Sequence, residues 1–359
     1  DQRVVDVSRR AVITALLAID PVSGAIVASP DTQGPYGEDW TRDGAFIDAM
    51  LDENGYTDLV TRHELFYART QSSPTHPIPT TPVGNWPMVM YPSGGNPGGP
   101  IPWEIDETGY GAWTLYDHST HLPADEGKQY LKEVFPAIAR AADWLTACAD
   151  PTNGFQCPAN EDDNEKPTQT IHGGLPVLLA LRSAIAAAGS LGVSGVEVSR
   201  WQARAATLQT AIESLYDNSA GAYKESPSAT AALPVGFEDS GLMLWPTRLL
   251  PYSSPRMQGE AAASLSSMES SWSGTSGAYE AVSLLGVCHA ESPLDPTTRQ
   301  RLGTDLARIM DATATPGTGV FGEFWQRWGD GHVSPWNDMP HTWEGALFDM
   351  SALCIYGSG

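Results

Sequence analysis

The sequence has few basic residues for its length. Its 359 residues include 20 Lys and Arg against 43 Asp and Glu, which gives a net charge of −23. Nucleic acids and anionic membrane surfaces are bound through clusters of Lys and Arg, so this composition argues against both as partners. A polyanionic polysaccharide would be repelled in the same way. A neutral substrate therefore fits the charge best, although an acidic surface can also serve solubility alone.

Long apolar runs are also missing. No stretch of about 18 consecutive apolar residues occurs, so we expect no membrane-spanning segment. The first ten residues, DQRVVDVSRR, are polar and do not resemble a signal peptide. We therefore expect either a cytosolic protein or one whose leader has been removed.

Cysteine is scarce, and its spacing does not indicate zinc. The chain has four cysteines, and they form no CxxC or Cys/His pattern. Cys148 and Cys157 bracket ADPTNGFQ, a turn-forming loop that a disulfide would close. The even count and the low lysine content favour a secreted or extracytoplasmic protein with disulfides Cys148–Cys157 and Cys288–Cys354. Four buried free thiols are the alternative.

Alternating patterns typical of β-strands are scarce, whereas apolar residues recur at helical spacing. Residues 175–189 and 344–356 are apolar nearly all round, and such helices must be covered on every side. Other helices are apolar on one face only, at spacings of four and three, as in Trp201, Ala205, Leu208, Ile212 and Leu215. The two populations predict an all-α fold with inner helices wrapped by outer ones.

The helical pattern predicts ten to twelve helices and no repeat of fixed length. Pro136 must kink its helix or mark the first turn. The candidate segments are 4–19, 43–53, 55–70, 105–119, 125–147, 170–189, 196–216, 237–248, 257–269, 275–287, 296–312 and 342–356.

Residues 72–104 form the longest irregular stretch. Its prolines and glycines exclude a helix, yet Trp86, Met88 and Trp103 are too apolar for a solvated linker. Long ordered loops are usually functional. We therefore expect a lid or wall over a site within a single catalytic domain, residues 1–359.

Four segments combine an aromatic residue and acids at a turn before a helix. They are EDWTRDGAF (38–46), PWEIDETGYGAW (102–113), NEDDNE (160–165) and FGEFWQRWGDGHVSPWNDMPHTWEGALF (321–348). Aromatic faces pack on the C–H faces of sugar rings, and charged side chains bind hydroxyls. Ordinary core packing explains single aromatics equally well. Together the four segments predict a sugar pocket at one end of the helices.

Glycosidic hydrolysis needs one protonated and one ionised carboxyl group. Glu161 suits the acid role because Asp162, Asp163 and Glu165 surround it, and neighbouring like charges raise the pKa of a carboxyl group. A solvated acidic loop is the alternative. Calcium is disfavoured, since EDDNE lacks the alternating ligands and the following glycine of a calcium loop. His172 and His341 are expected to be structural.

The ordered combination of these motifs resembles glucoamylase-type enzymes, glycoside hydrolase family 15. WTRDGAF resembles the family's Trp-x-Arg-Asp motif, NEDDNE followed by IHGGLPVLLAL resembles its general-acid loop and next helix, and FGEF with HTWEGALFDMSAL resembles its general-base region. The resemblance covers roughly residues 36–356. It implies an (α/α)6 barrel of six inner and six outer helices, with long loops forming a pocket at one end. It also implies an inverting exo-acting hydrolase that needs no cofactor and no metal.

The resemblance also assigns roles to individual residues. Glu161 takes the general-acid position and Glu323 the general-base position, and an inverting pair should lie about 6.5–9.5 Å apart. Arg42 and Asp43 match residues that bind hydroxyls of the terminal sugar, and Trp103 lies close to a stacking tryptophan. The other expected sugar contacts are Trp40, Glu104, Asp106, Glu107, Asn160, Trp272, Trp325 and Trp343.

The chain departs from the family in ways that bear on specificity. The family's Trp-Glu-Glu is here Asn160-Glu161-Asp162, and an arginine-rich loop is replaced by MESSWSGTSGAYEA (268–281). The predicted substrate is therefore a neutral oligosaccharide, an α-glucoside, with the linkage left open. The rival predictions are a lyase or epimerase on the same barrel and a non-catalytic carbohydrate-binding protein. A lyase acting on uronic acids would need basic residues to neutralise the carboxylate, and this site offers only Arg42.

Overall fold

The described residues of this computed structural model are 2–31, 36–94, 101–228, 236–271, 280–313, 317–327, 330 and 333–357. Within them the chain is all-α, with very little sheet. The twelve helices in these ranges are α1 (Gln2–Ala18), α2 (Thr41–Glu53), α3 (Thr57–Thr70), α4 (Ile105–His121), α5 (Ala124–Ala147), α6 (Ile171–Leu191), α7 (Val196–Ser214), α8 (Phe237–Leu244), α9 (Pro255–Ser271), α10 (Glu280–Ala290), α11 (Pro296–Thr313) and α12 (Thr342–Tyr356).

The strands form three short antiparallel pairs in the described part of the chain. They are β1 (Asp39–Trp40) with β2 (Val89–Met90), β3 (Tyr216–Asp217) with β4 (Ala222–Tyr223), and β5 (Phe324–Arg327) with β6 (Val333–Trp336). In the first pair, Asp39 lies opposite Met90.

Each of the twelve predicted helical segments overlaps one observed helix, so the predicted fold class is confirmed. The predicted end at residue 248 is wrong, because Trp245 is extended and a proline follows it, which disfavours helical backbone. Pro136 lies inside α5, so the alternative in which it marks a first turn is also wrong. Of the predicted segment 275–287, residues 275–279 lie outside the described residues.

The contacts divide the chain into two compact units. Unit 1 comprises residues 1–19, 27–37 and 235–359, and unit 2 comprises residues 20–26 and 38–234. Each unit is described by itself below. The prediction of a single catalytic domain stays a prediction.

In unit 2, α4 and α6 form the central pair, and α2, α3, α5 and α7 pack beside them. The two central helices cross closely at Gly109, where an added Cβ would lie 2.5 Å from Cβ of Pro176. Helix α6 is long and apolar enough to cross a membrane by composition, but 67% of its most apolar window is buried in the protein. A covered, all-round apolar helix of this kind is typical of a protein core.

In unit 1, α1 packs against α12, and α8 and α12 pack against α10. The disulfide Cys288–Cys354 joins α10 to α12, and Cys148–Cys157 closes a turn after α5 in unit 2. Both predicted disulfides are therefore present.

A buried polar network anchors β1 in unit 2. The carboxylate of Asp39 accepts hydrogen bonds from the amide of Ile26 and the hydroxyl of Tyr67, at 2.8 and 2.7 Å. It also pairs with Nε2 of His63, whose Nδ1 pairs with Asp48. Burial alone would lower the pKa of His63, but the two aspartates raise it well above its usual value. The imidazolium and its partners thus fix the strand that directly precedes α2.

The irregular segment 72–104 is packed into unit 2 where it is described. Trp86 is fully buried, and its indole N–H donates to the carbonyl of Tyr67 at 2.9 Å. Pairing of β2 with β1 ties the same segment to the start of α2. Its predicted role beside an active site stays a prediction.

Candidate active site

The first cluster surrounds Arg42, in the first turn of α2. Its guanidinium Nε donates to Asp106 at 2.8 Å, and its Nη2 donates to Glu104 at 2.7 Å. Its backbone amide donates to Glu107 at 2.9 Å. All four residues are buried, and the three acids lie at the N-terminus of α4, where the helix dipole favours negative charge. The sequence-predicted residues Arg42, Glu104, Asp106 and Glu107 are therefore brought together.

Burial and mutual charge perturb this cluster. Burial alone would lower the pKa of Arg42, but nearby carboxylates, Asp106 first, raise it well above its usual value. Burial raises the pKa of Glu104 to about 7, although Arg42 acts to lower it. Burial likewise raises the pKa of Glu107 well above its usual range. The guanidinium thus stays charged, whereas burial makes Glu104 and Glu107 weaker acids than usual.

The loop that carries Glu161 is docked on the same end of α4. The amide of Asp162 donates to Asp106 at 3.3 Å, and the amide of Asp163 donates to Glu104 at 2.6 Å. Both loop aspartates have left-handed backbone, with φ of 45° and 60°. Such conformations cost about 1–3 kcal/mol each in non-glycine residues and cluster at functional sites. The two amide bonds help to offset that cost and hold the loop in one shape.

Glu161 itself is 3% exposed, and three donors hold its carboxyl group. Oε2 accepts from the hydroxyl of Thr170 at 2.6 Å. Oε1 accepts from Nε2 of Gln156 at 3.0 Å and from the amide of Thr170 at 3.3 Å. The start of α6 must leave room for it, because a Cβ on Gly173 would lie 2.3 Å from Oε1. The IHGG motif therefore lets the helix begin directly against the carboxyl group.

The pKa of Glu161 is raised, in the direction predicted, but the predicted cause is wrong. Burial raises it, while hydrogen bonds from Thr170 and Gln156 and the charge of His172 lower it. Burial, and not a neighbouring acid, is the largest cause of the shift, and Asp162 and Asp163 lie beside Arg42 at 3.8 Å each. Burial therefore shifts the pKa of Glu161 in the direction that suits a general acid.

Glu323 lies in unit 1, just before β5, and is half-buried. Its Oε2 accepts a hydrogen bond from the phenol of Tyr36 at 2.5 Å, and the amide of Asn337 also donates to Oε2. Its own amide donates to the carbonyl of Asp338 at 3.1 Å. Asn337 has a left-handed backbone, with φ of 80°. These contacts hold one carboxylate oxygen in place.

The remaining predicted residues are found in several settings. Trp40 is buried in β1, and Asp43 is buried in the first turn of α2. Trp103 is half-buried and packs edge-to-face on Trp144, with ring centroids 5.1 Å apart. The side-chain amide of Asn160 donates to the carbonyl of Asn164 at 2.8 Å.

The aromatic candidates of unit 1 are less fully described. Trp343 is buried at the start of α12. Trp325 lies on β5, and its side chain lies outside the described residues, as does the whole of Trp272. His341 pairs with Glu344 and packs edge-on against Tyr36, with ring centroids 5.5 Å apart. His341 is thus hydrogen-bonded, as expected, and its structural role stays a prediction.

Sequence reasoning missed the residues that hold the two glutamates. Gln156, Thr170 and Tyr36 carry no charge at neutral pH and belong to no motif, and Asn337 lies within the segment 321–348 but was given no role there. Only the proximity of Gln156 to Cys157 and of Thr170 to the IHGG motif could have drawn attention to them. Among the described residues, no group of three or more His, Cys, Asp or Glu side chains is arranged to hold a metal ion.

No protein-family model matches the chain. No curated protein matches it in sequence either.

Solved structures do match it in fold. A glycosidase variant solved in complex with glucose is similar over 99% of this chain and 97% of its own, with a TM-score of 0.71 and 15% identity. The glucoamylase of Hormoconis resinae matches 99% of this chain over 74% of its own, with a TM-score of 0.71 and 16% identity. The GH63 mannosylglycerate hydrolase of Thermus thermophilus matches 96% over 99%, with a TM-score of 0.64 and 13% identity.

These likenesses confirm the fold class predicted from the sequence. The chain has the all-α fold of (α/α)6-barrel glycosidases. Identities of 13–16% do not single out glycoside hydrolase family 15 among them.

Proposed function

We propose that the chain is an inverting exo-glycosidase that removes the terminal sugar of a neutral oligosaccharide, an α-glucoside. Glu161 is the general acid and Glu323 the general base. The observation that carries the proposal is the Glu161 carboxyl group, which is buried, has a raised pKa and is held by Gln156 and Thr170. A carboxylic acid whose pKa is raised by burial suits the proton donor that glycosidic cleavage requires.

In the proposed reaction, the bond between the anomeric carbon and the glycosidic oxygen breaks as that oxygen takes the proton of Glu161. A water molecule attacks the anomeric carbon from the opposite face, and Glu323 takes a proton from this water. The product sugar then has the opposite anomeric configuration. The expected separation of about 6.5–9.5 Å between the two carboxyl groups stays a prediction.

The surroundings of Glu323 support its role as base. Tyr36 donates to its carboxylate, and the pKa of that phenol is raised by burial and by Glu323 itself. The phenol therefore stays protonated and keeps donating. The hydrogen bonds from Tyr36 and Asn337 orient the carboxylate and favour its charged form, which a general base needs.

The proposed substrate class follows from charge and from the solved structures of similar fold. Arg42 is enclosed by carboxylates, so it does not offer a free positive charge to a uronic acid, as a lyase would need. The similar structures include a glucoamylase and a glycosidase that binds glucose. Asp43 and Trp103 are proposed to contact the terminal sugar. The two disulfides support export from the cytosol.

The test is a screen of α-linked glucose disaccharides and oligosaccharides, followed by proton NMR of the first product from each substrate that is cleaved. Release of the β-anomer from an α-linked substrate is the expected result. Release of the α-anomer would contradict the inverting mechanism. An unsaturated product, detected by ultraviolet absorbance, would favour the lyase instead.

Two variants test the assigned roles. Glu161→Gln and Glu323→Gln should each lower kcat by several orders of magnitude, because each removes an acid–base group, while the circular dichroism spectrum stays unchanged. Full activity in either variant would remove that residue from the mechanism.

A further inference from the structure

We propose that Gln156 is a positioning residue for the Glu161 carboxyl group, and that the Cys148–Cys157 disulfide holds the turn that presents it. The inference rests on the proposed role of Glu161 as the general acid. It assigns a positioning role to a glutamine that no sequence motif marks, and a supporting role to the disulfide beside it.

The side-chain amide of Gln156 has two acceptors and no exposed surface. Its Nε2 donates to Oε1 of Glu161 at 3.0 Å and to the carbonyl of Thr170 at 2.8 Å. Gln156 is fully buried, so it does not present a surface to substrate. Because one nitrogen bridges the loop of Glu161 and the residue before α6, it fixes the carboxyl group relative to that helix.

The backbone of Gln156 is held from several sides. The guanidinium of Arg204, on α7, donates to the carbonyls of Gly154 and Phe155 at 2.8 and 2.9 Å. The side-chain amide of Gln169 donates to the carbonyl of Gln156 at 2.5 Å. These contacts hold the backbone of residues 154–156, the part of the turn that carries Gln156.

The disulfide joins the two ends of that turn. Cys148 caps the C-terminus of α5, and Cys157 directly follows Gln156. The amide of Cys157 also donates to the carbonyl of Cys148 at 3.1 Å, beside a bridge between Ala149 and Gln156. The disulfide therefore attaches Gln156 to the end of a 24-residue helix. Without the disulfide, the position of Gln156 depends only on the hydrogen bonds to the backbone of the turn.

The first experiment compares Gln156→Met with Gln71→Met. Methionine keeps the approximate size of glutamine but removes the donor, so the Glu161 carboxyl group loses one bond to its charged form. We expect kcat to fall at least about tenfold with little change in KM. The alkaline limb of the kcat–pH profile should move to higher pH, since losing a donor to a carboxylate raises its pKa. His172 is the neighbouring titratable group whose charge acts on Glu161.

Gln71 is the matched control. It is also buried in unit 2, and its Nε2 also donates to two acceptors, the carbonyls of Gly84 and Ala137, at 3.0 Å each. Gln71→Met should lower thermal stability at least as much, because Gln71 also accepts a hydrogen bond from Nε of Arg140 at 2.9 Å. Its kcat and alkaline limb should keep their wild-type values. A shift of the limb in both variants would show a general effect of destabilisation and would contradict the positioning role.

The second experiment replaces each cysteine pair with alanine. Cys148→Ala/Cys157→Ala should reproduce the lower kcat and the shifted alkaline limb of Gln156→Met. Cys288→Ala/Cys354→Ala, in unit 1, should lower thermal stability without moving the limb. An unchanged limb in the first double variant would overturn the role of the disulfide.

Different results would contradict the proposed function and the positioning role of Gln156. If Glu161→Gln keeps full activity, the proposed function is wrong whatever Gln156 does. If Glu161→Gln abolishes turnover but Gln156→Met keeps the wild-type kcat and pH profile, the general acid stands and the positioning role is wrong.

Discussion

The phenol hydroxyl of Tyr36 donates a hydrogen bond to Oε2 of Glu323, with 2.5 Å between the two oxygens. The two residues are 287 positions apart in the chain, and both belong to unit 1. Hydrogen bonds to charged groups are about twice as strong as neutral ones. This pair therefore fixes the direction of the proposed base.

Tyr36→Phe should lower kcat at least about tenfold with a smaller effect on KM, because the carboxylate loses a donor that orients it towards water. Steady-state kinetics on the preferred substrate measures this. Tyr252→Phe is the matched control, since Tyr252 makes the same bond to Glu291 at 2.5 Å within unit 1. Equal loss of activity in both variants would show that Tyr36 acts only through stability.

The contact between α4 and α6 should tolerate no added methyl group at Gly109. A Cβ there would lie 2.6 Å from the carbonyl carbon of Pro176, which is backbone and cannot move aside easily. Gly109→Ala should therefore lower the free energy of unfolding by about 1–3 kcal/mol. Thermal or urea unfolding measures it.

Gly189→Ala, also in unit 2, is the control for that substitution. An added Cβ would meet nothing within 4 Å there, so alanine should be neutral or stabilising by up to about 1 kcal/mol. Equal losses at both positions would contradict the close crossing as the cause.

Much of the fold could be predicted from the sequence because local periodicity carries it. The helices alternate between all-round apolar segments such as 175–189 and one-faced segments such as the one around Trp201, and this difference is visible without a structure. The pairing of Cys148 with Cys157 was also predictable, since the turn between them places the two ends together. Helix ends near prolines were harder to predict. The helix before Trp245, for example, ends at Leu244 and not at the predicted residue 248.

The site was predictable only where charge or a motif marked it. Arg42 and the acids at the start of α4 were recognised and do lie together. The partners that hold the two glutamates were not recognised. Tyr36 lies 287 positions from Glu323, and Gln156, only five positions from Glu161, is an uncharged residue that no motif marks. The cause of the raised pKa of Glu161 was likewise wrong. Neighbours in sequence need not face one another, and burial depends on tertiary packing.

Asp305, on α11, should make the stability of the protein depend on pH. It is buried, and burial together with the nearby Glu269 raises its pKa to about 6, from an ordinary value of 3.8. Between these two values the folded state binds more protons than the unfolded state, so this group's contribution to stability falls as pH rises from about 4 to about 6.

Asp305→Asn removes that titration. Relative to the wild type, the variant should gain about 1 kcal/mol of unfolding free energy between pH 4 and pH 7, after allowance for solvent screening. Urea unfolding at the two pH values measures the difference. Asp311→Asn, at an exposed position on the same helix, should show a smaller change. A flat difference between Asp305→Asn and wild type across this range would contradict the assignment.

Arg42→Lys should be strongly destabilising although it keeps the charge. The guanidinium bonds Asp106 through Nε and Glu104 through Nη2, and both carboxylates are fully buried. A lysine ammonium is a compact donor that cannot match this fork, so one buried acid loses its partner. Breaking a buried pair costs about 3–5 kcal/mol, and lysine should recover part of it, which leaves a loss of about 2–3 kcal/mol.

Urea unfolding of Arg42→Lys and Arg3→Lys separates this explanation from a general cost of replacing arginine. Arg3 pairs with Asp311 at 2.8 Å, but both side chains are about 60% exposed (62% and 59%). Exposed pairs contribute little, so Arg3→Lys should change the free energy of unfolding by about 0.5 kcal/mol or less. If Arg42→Lys is equally mild, the fork geometry does not stabilise the cluster. The amides of Asp162 and Asp163 donate to the same two acids, Asp106 and Glu104. Other contacts would then have to hold that loop in place.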